Sequence, residues 1–330
     1  MPDISNVLII NAGGGIGDAI QFLKLFKYLN TNLKVKKIYY FATDLDKHWF
    51  ENKLKELKPK NVITIKSFPT HYGWNIKDIF YNPNIFKNFK IRKFDLIIDN
   101  QTKYRNTLVY KRIPHKYYIS PTFNYFFCNP KINVNKEKHI QLRISNYLEK
   151  LFQKKLNYNL KYKIKKKYTH LANTILKKNK KYIGFSIKAG HPTRSKEFNI
   201  QEIIKVANYF QKKNYIPTFF LEEKYSDEIN YLKKKVKGVF FPELFIKKKF
   251  RDPALVVALG KKMNFIVTID NGVMHMLALS NVKMFCFFSK NSNKFKPIGN
   301  KINVYDCEKK EDSINNLSHK KIINFIENNI

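Results

Sequence analysis

Three short stretches hold the residues that could do chemistry. The first is Asn11-Ala12-Gly13-Gly14-Gly15-Ile16-Gly17-Asp18, directly after the apolar run Val7-Leu8-Ile9-Ile10. The chain has 11 glycines in 330 residues, and four of them fall between Gly13 and Gly17. Glycine so concentrated serves a backbone that turns tightly or approaches something closely. Apolar spacing after it predicts a helix over 19–29, with Asp18 in its first turn, where the helix dipole favours a carboxylate. Such a carboxylate can act as a general base, or it can only cap and charge its helix; the stretch alone leaves both open. The turn lacks the later glycine of G-x-G-x-x-G and the Gly-Lys-Ser/Thr of a P-loop.

The second stretch, Gly190-His191-Pro192-Thr193-Arg194-Ser195-Lys196, follows a predicted strand and precedes a predicted helix. Backbone N–H groups, hydroxyls and two cations suit a phosphate, although a solvated basic loop would look the same. The third is Asp270-Asn271-Gly272-Val273-Met274-His275. A carboxylate, a helix start and an imidazole within one turn could hold a sugar hydroxyl and a diphosphate. The plainer reading is an Asx-type cap beside a packed histidine. The histidines show no metal-ligand spacing and the cysteines form no CxxC, so no metal site is expected. No G-x-S-x-G elbow supports hydrolysis.

The elements that must position these residues alternate. Strands are predicted over 37–42, 61–66, 94–99 and 116–120, with helices over 44–57, 103–112 and 138–153 and a possible one over 76–89. After a basic connector over 154–167 and a helix over 168–176 the pattern restarts. Strands fall over 182–187, 216–221, 238–241, 265–269 and 282–288, and helices over 200–213, 226–235, 252–262, 273–279 and 313–328. Two successive βαβ arrays imply an α/β protein of two Rossmann-like doubly wound domains, 1–162 and 163–330, facing across a cleft. Ligands of such sheets bind beyond the carboxyl ends of the strands, which is where all three stretches lie.

Composition bounds the partners. Hydrophobic content of 44% with 28 Phe and 20 Tyr excludes a disordered chain. Lys+Arg of 63 against Asp+Glu of 25 gives a net charge of +38, a field that attracts polyanions. No nucleic-acid module accompanies it, so no specific nucleic acid is expected. Cys128, Cys286 and Cys307 are odd in number and far apart, which predicts free thiols and a cytoplasmic setting. The N-terminus reaches its glycine turn after four apolar residues, too few for a secretory leader. No apolar run approaches the ~18 residues of a membrane span.

The order of these pieces resembles the ADP-heptose:lipopolysaccharide heptosyltransferases, glycosyltransferase family 9. Gly17-Asp18 matches the family's Gly-Asp after the first glycine turn, and Phe94-Asp95-Leu96-Ile97-Ile98-Asp99-Asn100-Gln101 is similar to its Tyr-Asp-x-x-Ile-Asp-x-Gln. The run from Gly190 to Lys196-Glu197-Phe198 corresponds to a small-residue loop ending Lys-Arg-Trp. Asp270-Asn271-Gly272-Val273-Met274-His275 fits Asp-Ser/Thr-Gly-x-x-His, and Phe287-Phe288-Ser289-Lys290-Asn291 leads to Pro297 where the family has Phe-Gly-Pro-Thr and a later proline.

The resemblance implies the GT-B architecture, with an N-terminal acceptor domain and a C-terminal nucleotide-sugar donor domain. It implies an inverting glycosyltransferase using a nucleotide sugar, ADP-linked in this family, and no cofactor or metal. Asp18 would be the catalytic base, with Gly15 and Gly17 in the acceptor-side loop and Asp99 the alternative carboxylate. Gly190, Thr193, Lys196, Asp270, Asn271, Gly272 and His275 would bind the donor, and Glu222, Glu223 or Asp227 the ribose. The acceptor would be an anionic glycolipid, met at the inner face of the cytoplasmic membrane by a peripheral protein. Two other functions share these features: a non-catalytic polyanion-binding protein, and a nucleotide-sugar epimerase.

Overall fold

The structure, a computed structural model, describes residues 3–11, 13–42, 44–65, 91–101, 103–157, 162–189, 196–247 and 251–330. The helix considered over 76–89 lies outside them. The chain divides into two compact units, Met1–Asn157 and Tyr158–Ile330.

The first unit is built on five parallel strands: β1 (Asn6–Asn11), β2 (Lys37–Ala42), β3 (Val62–Ile65), β4 (Phe94–Asp99) and β5 (His115–Ile119), in the order β3-β2-β1-β4-β5. Helices α1 (Ile16–Asn32), α2 (Asp44–Glu51), α3 (Tyr104–Lys111) and α4 (Ile140–Phe152) accompany it. The central strand is apolar on both faces because both are covered: Val7, Leu8, Ile9 and Ile10 are fully buried. Val7 sits in register with Ile38 on one side and Leu96 on the other. Aromatic rings fill the space around the sheet, Phe26 and Phe50 packing edge-on or tilted around Tyr40, and Tyr110 packing on Phe41.

The second unit repeats the plan with β6 (Lys181–Ser186), β7 (Tyr215–Phe219), β8 (Phe265–Ile269), β9 (Lys283–Phe288) and β10 (Ile302–Asp306), ordered β10-β9-β8-β6-β7 and parallel throughout. Its helices are α5 (Lys166–Ile175), α6 (Ile200–Lys212), α7 (Ser226–Lys235), α8 (Pro253–Gly260), α9 (Gly272–Ala278), α10 (Ser292–Phe295) and α11 (His319–Glu327). Both units are therefore Rossmann-like α/β sheets whose strand order reverses once, between β1 and β4 and between β6 and β8.

Two predicted elements need correction and one strand is added. β10 was not expected: it is a short edge strand in which only Tyr305 is buried, so the sequence lacks an apolar run there. The strand expected over 238–241 is a single bridge from Phe240 to Thr218, because Gly238 turns at φ 65° and Pro242 begins a 3-10 turn. The helix expected over 313–328 is broken into a 3-10 turn at Ile314–Asn316 and α11, where the Ser318 hydroxyl caps the Lys321 N–H. Cys128, Cys286 and Cys307 are all free and buried. Among the described residues no helix is long and apolar enough to cross a membrane.

Glu202 ties α6 to the chain's last helix. Its Oε2 accepts the His319 backbone N–H at 2.6 Å and lies 2.7 Å from His319 Nδ1, while Oε1 accepts from Lys205 at 2.6 Å. Lys205 first, and the two His319 groups after it, hold this carboxyl down at about 2. A depressed carboxylate pKa gives stability that is present above the unfolded value near 4.5 and lost as pH falls toward about 2. Glu202→Gln is expected to lower stability at neutral pH by about 1 kcal/mol. Melting curves of variant and protein should converge as pH falls through that window; an unchanged gap at acid pH would count against the bridge.

Candidate functional site

In a doubly wound sheet the loops on either side of a strand-order reversal leave the sheet in opposite directions and open a crevice between them. In the first unit those loops are the glycine turn after β1 and Asp99-Asn100-Gln101 after β4. They are tied together where they begin, Asn100 donating its N–H to the Ile10 carbonyl at 2.9 Å.

The turn is shaped around Asp18. Asn11, buried at the end of β1, accepts the Gly13 N–H at 3.2 Å and donates to the Tyr40 hydroxyl at 2.9 Å. Trp49 braces the other side, its indole N–H donating to the Gly14 carbonyl at 3.2 Å. Half-buried Asp18 stands at the third residue of α1 and accepts the Gly15 N–H through Oδ2 at 3.2 Å. A Cβ on Gly13 would lie 2.8 Å from the Asp18 Cβ, and one on Gly15 would lie 3.0 Å from Oδ2. The glycines are thus what lets this carboxylate lie flat on the turn. Gly17 is the second residue of α1. The capping contact that the sequence left open is present, and it fixes the carboxylate's position.

Asp99 has a different role. It is fully buried; Oδ2 accepts from Thr107 at 2.8 Å, Tyr118 at 2.9 Å and Ser120 at 3.2 Å, and Oδ1 accepts the Gln101 N–H at 3.2 Å. Burial pushes its carboxyl up against the pull of those four donors. It pins α3, β5 and the loop after β4 to one another, and a group so enclosed is not a base for an external hydroxyl.

Sequence reading missed Arg143. On α4 it donates through Nη2 to the Asn100 side-chain oxygen at 3.3 Å, which brings a half-buried cation to the end of β4. Gln141, two residues earlier, donates to the Gln21 carbonyl on α1. Among the described residues, Arg143 Nε, Gln101 Nε2 and Gln21 Oε1 are buried with no hydrogen-bond partner. Buried polar atoms left unpaired are uncommon in a folded chain, and two of these three belong to residues at or bonded to the loop after β4. A lone arginine on the polar side of a helix gave too little signal to find it.

In the second unit the loops after β6 and β8 meet in the same way. Lys188 and Glu197 form an antiparallel bridge that closes the loop between them. This delivers Lys196, whose ammonium lies 2.5 Å from Asp270 Oδ2 at the end of β8, with both side chains about a fifth exposed. Asn271 caps α9: its Oδ1 accepts the Met274 N–H at 2.7 Å, and its Nδ2 donates to Ser186 Oγ and the Lys188 carbonyl, each at 2.9 Å. That side chain is consumed in stapling β8 to β6, so it shapes the site rather than offering a free group. Gly272 is the first residue of α9 and His275 is buried one turn later. Gly190 and Thr193 lie outside the described residues. Phe198 is core, edge-on to Phe287 at 5.2 Å.

Lys188 pairs with Glu228 of α7 and sits 5.1 Å above the Tyr225 ring, a contact the sequence did not disclose. Of the three alternative ribose carboxylates, Glu222 pairs with Lys224, Glu223 pairs with Arg251, and Asp227 lies in the first turn of α7. Beyond them burial first, and Glu222 second, pushes Glu243 up to about 7.

A model of glycosyltransferase family 9 (heptosyltransferase) matches residues 84–321. Among solved structures, a family 9 glycosyl transferase from Veillonella parvula superposes with a TM-score of 0.67 at 17% identity, covering 99% of this chain and 97% of that one. Escherichia coli heptosyltransferase WaaC with ADP-2-deoxy-2-fluoro heptose gives 0.65 at 14%, covering 98% and 100%. E. coli ADP-heptose lps heptosyltransferase II gives 0.63 at 14%, covering 98% of each. At these identities the likeness is one of fold, and it extends over both units. No curated protein matches by sequence.

The geometry makes Asn271 separable from its neighbours. Asn271→Asp keeps the oxygen that caps Met274 and loses both donated bonds, placing a carboxylate against the Lys188 carbonyl. It is expected to destabilise the protein by about 1–3 kcal/mol, read as a lower melting temperature. A melting temperature equal to the parent's would show that the β8–β6 staple carries no stability.

Proposed function

This chain belongs to glycosyltransferase family 9, the heptosyltransferase family, and we propose that it moves a heptose or related sugar from an ADP-linked donor to an anionic glycolipid acceptor of the lipopolysaccharide-core type. The observation that carries the reading is the pairing of chemistry with the strand-order reversals. One holds a carboxylate fixed on a glycine turn, and the other holds a lysine paired with Asp270, two residues before a helix start. The donor class follows the relative solved with ADP-2-deoxy-2-fluoro heptose.

The residues divide the reaction as follows. The acceptor hydroxyl attacks the anomeric carbon from the face opposite the diphosphate, which inverts the centre. Asp18 takes the hydroxyl proton as the new C–O bond forms. The bond from the anomeric carbon to the phosphate oxygen breaks, and its electron pair leaves with ADP. Lys196 and the Gly272 N–H stabilise that growing negative charge, with His275 behind them. Asp270 then fills two roles, holding Lys196 in place before the donor arrives and accepting from sugar hydroxyls once the ammonium turns to the diphosphate. No cofactor enters this scheme.

Arg143, with the orphaned amide of Gln101 beside it, gives the acceptor crevice a cation and a donor suited to a carboxylate or phosphate on the acceptor. The net charge of +38 favours approach to an anionic membrane face, which supports a peripheral position at the cytoplasmic leaflet.

Two variants test the division of labour. Asp18→Asn preserves size and most capping ability and removes the base, so transfer should fall by roughly 10²–10⁴-fold while the melting temperature and ADP affinity hold. Full transfer by this variant would place the base elsewhere. Lys196→Ala should weaken ADP binding, measured by calorimetry, by about 1–3 kcal/mol. An unaltered affinity would remove Lys196 from the diphosphate site.

A further inference from the structure

Exposed large apolar side chains are few among the described residues: Leu108, Phe123, Phe126, Phe245 and Ile330. Three of the five belong to the first unit, Leu108 on α3 and the two phenylalanines on the loop after β5. Phe123 is 63% exposed and Phe126 64%. Phe123 packs on Tyr104 at 5.5 Å, one turn of α3 before Leu108, and Phe127 lies against both phenylalanines. The result is a contiguous apolar tip.

The loop is built to hold these rings outward. Its two ends are fixed, Thr122 donating to the Gln101 carbonyl and Cys128 bonding to Ser120. Its middle is fixed by Tyr125, whose hydroxyl donates to the Arg143 carbonyl at 2.9 Å while its ring lies 5.3 Å from Tyr147. Between these anchors Phe123, Asn124 and Tyr125 all adopt left-handed backbone, with φ of 47°, 52° and 66°. Three consecutive non-glycine residues in that region are held there against their own preference. Tyr125 is buried while Phe123 and Phe126 on either side of it stay exposed.

Charge surrounds the tip. From Lys103 to Lys131 there are six Lys or Arg and no Asp or Glu. The Lys131 ammonium sits 4.5 Å over the Phe126 ring and that of Lys111 sits 5.6 Å over Phe127. The other exposed phenylalanine differs: Phe245 stacks on Phe240 at 4.9 Å and lies two residues from Glu243.

We propose that this tip is the protein's membrane anchor, its rings entering the headgroup boundary of an anionic bilayer while Lys111 and Lys131 meet lipid phosphates. Aromatic side chains with a cationic rim are the pattern of interfacial binding, in which apolar burial adds to electrostatic attraction. The loop grows from the same β4–β5 edge as Asp99 and Gln101, so anchoring it brings the acceptor crevice to the lipid surface. In that purpose the inference rests on the transferase reading; the binding itself does not.

The test is cosedimentation of the full chain with phosphatidylethanolamine–phosphatidylglycerol vesicles and with phosphatidylcholine vesicles, neither holding donor or acceptor. The parent protein should bind the anionic vesicles and keep a bound fraction at about 1 M salt, where charges are screened beyond ~3 Å. Phe123→Ser/Phe126→Ser, at exposed positions that leave the core untouched, should lower partitioning by about tenfold at every salt concentration. Lys111→Gln/Lys131→Gln should lose mainly the low-salt part. Phe126→Trp should show a blue-shifted emission on the anionic vesicles beyond any shift of the parent. The proposal is overturned if the double serine variant partitions like the parent. It is also overturned if Phe126→Trp emission stays unshifted on sedimenting protein. A protein that anchors through this tip but transfers no sugar would count against the transferase reading alone.

Discussion

A parallel strand buried on both faces can present chemistry only where it ends. β1 and β8 are such strands, enclosed along their lengths, so nothing polar can stand within them without an internal partner. Every polar group with a part to play is pushed to the carboxyl edge, and the edge opens only where neighbouring loops part. That happens once in each unit, between β1 and β4 and between β6 and β8. The glycine turn, the Asp99 network, the Lys196–Asp270 pair and the Asn271 staple all occupy these two places. The site is a consequence of how the sheets are wound before it is a property of its residues.

The two crevices meet one demand, holding a charged group still, by different means. In the first unit the carboxylate of Asp18 is held by backbone, which favours glycine at 13, where a Cβ would clash with the Asp18 Cβ, and at 15, where one would crowd Oδ2. In the second unit the lysine is held by an opposing carboxylate across 74 residues of sequence. A backbone hold cannot be displaced by substrate, whereas an ion pair about a fifth exposed can exchange partners at modest cost. That difference suits the roles proposed for them, a base that stays where it is put and a cation released to its diphosphate.

The sequence showed most of the frame. β4 and β8 were readable to the residue because their apolar runs stop at a carboxylate, and α7 because acidic residues open it and lysines close it. β10 was hidden because an edge strand half in solvent needs no apolar run. The last helix was overextended because apolar spacing continues through a serine cap. Among candidate site residues, Asp18, Lys196, Asp270 and His275 could be picked out by type and position. What they do to one another could not. The Lys196–Asp270 bond, the donation from Asn271 to Ser186, and the gathering of Thr107, Tyr118 and Ser120 on Asp99 join residues that only the strand order makes neighbours. Arg143 stayed invisible for the same reason.

The account's central claim is that nucleotide binds at the β6–β8 reversal, leaving the glycine turn of the first unit to the acceptor. A glycine-rich first turn is elsewhere a nucleotide site, so the alternative is concrete. Hydrogen exchange read by mass spectrometry, with and without saturating ADP, separates them. The account predicts slowed exchange in peptides containing Lys196 and in those spanning Asn271 to His275, with the peptide from Gly13 to Asp18 unchanged. Protection confined to Gly13–Asp18, with none at Lys196 or Asn271–His275, would contradict it.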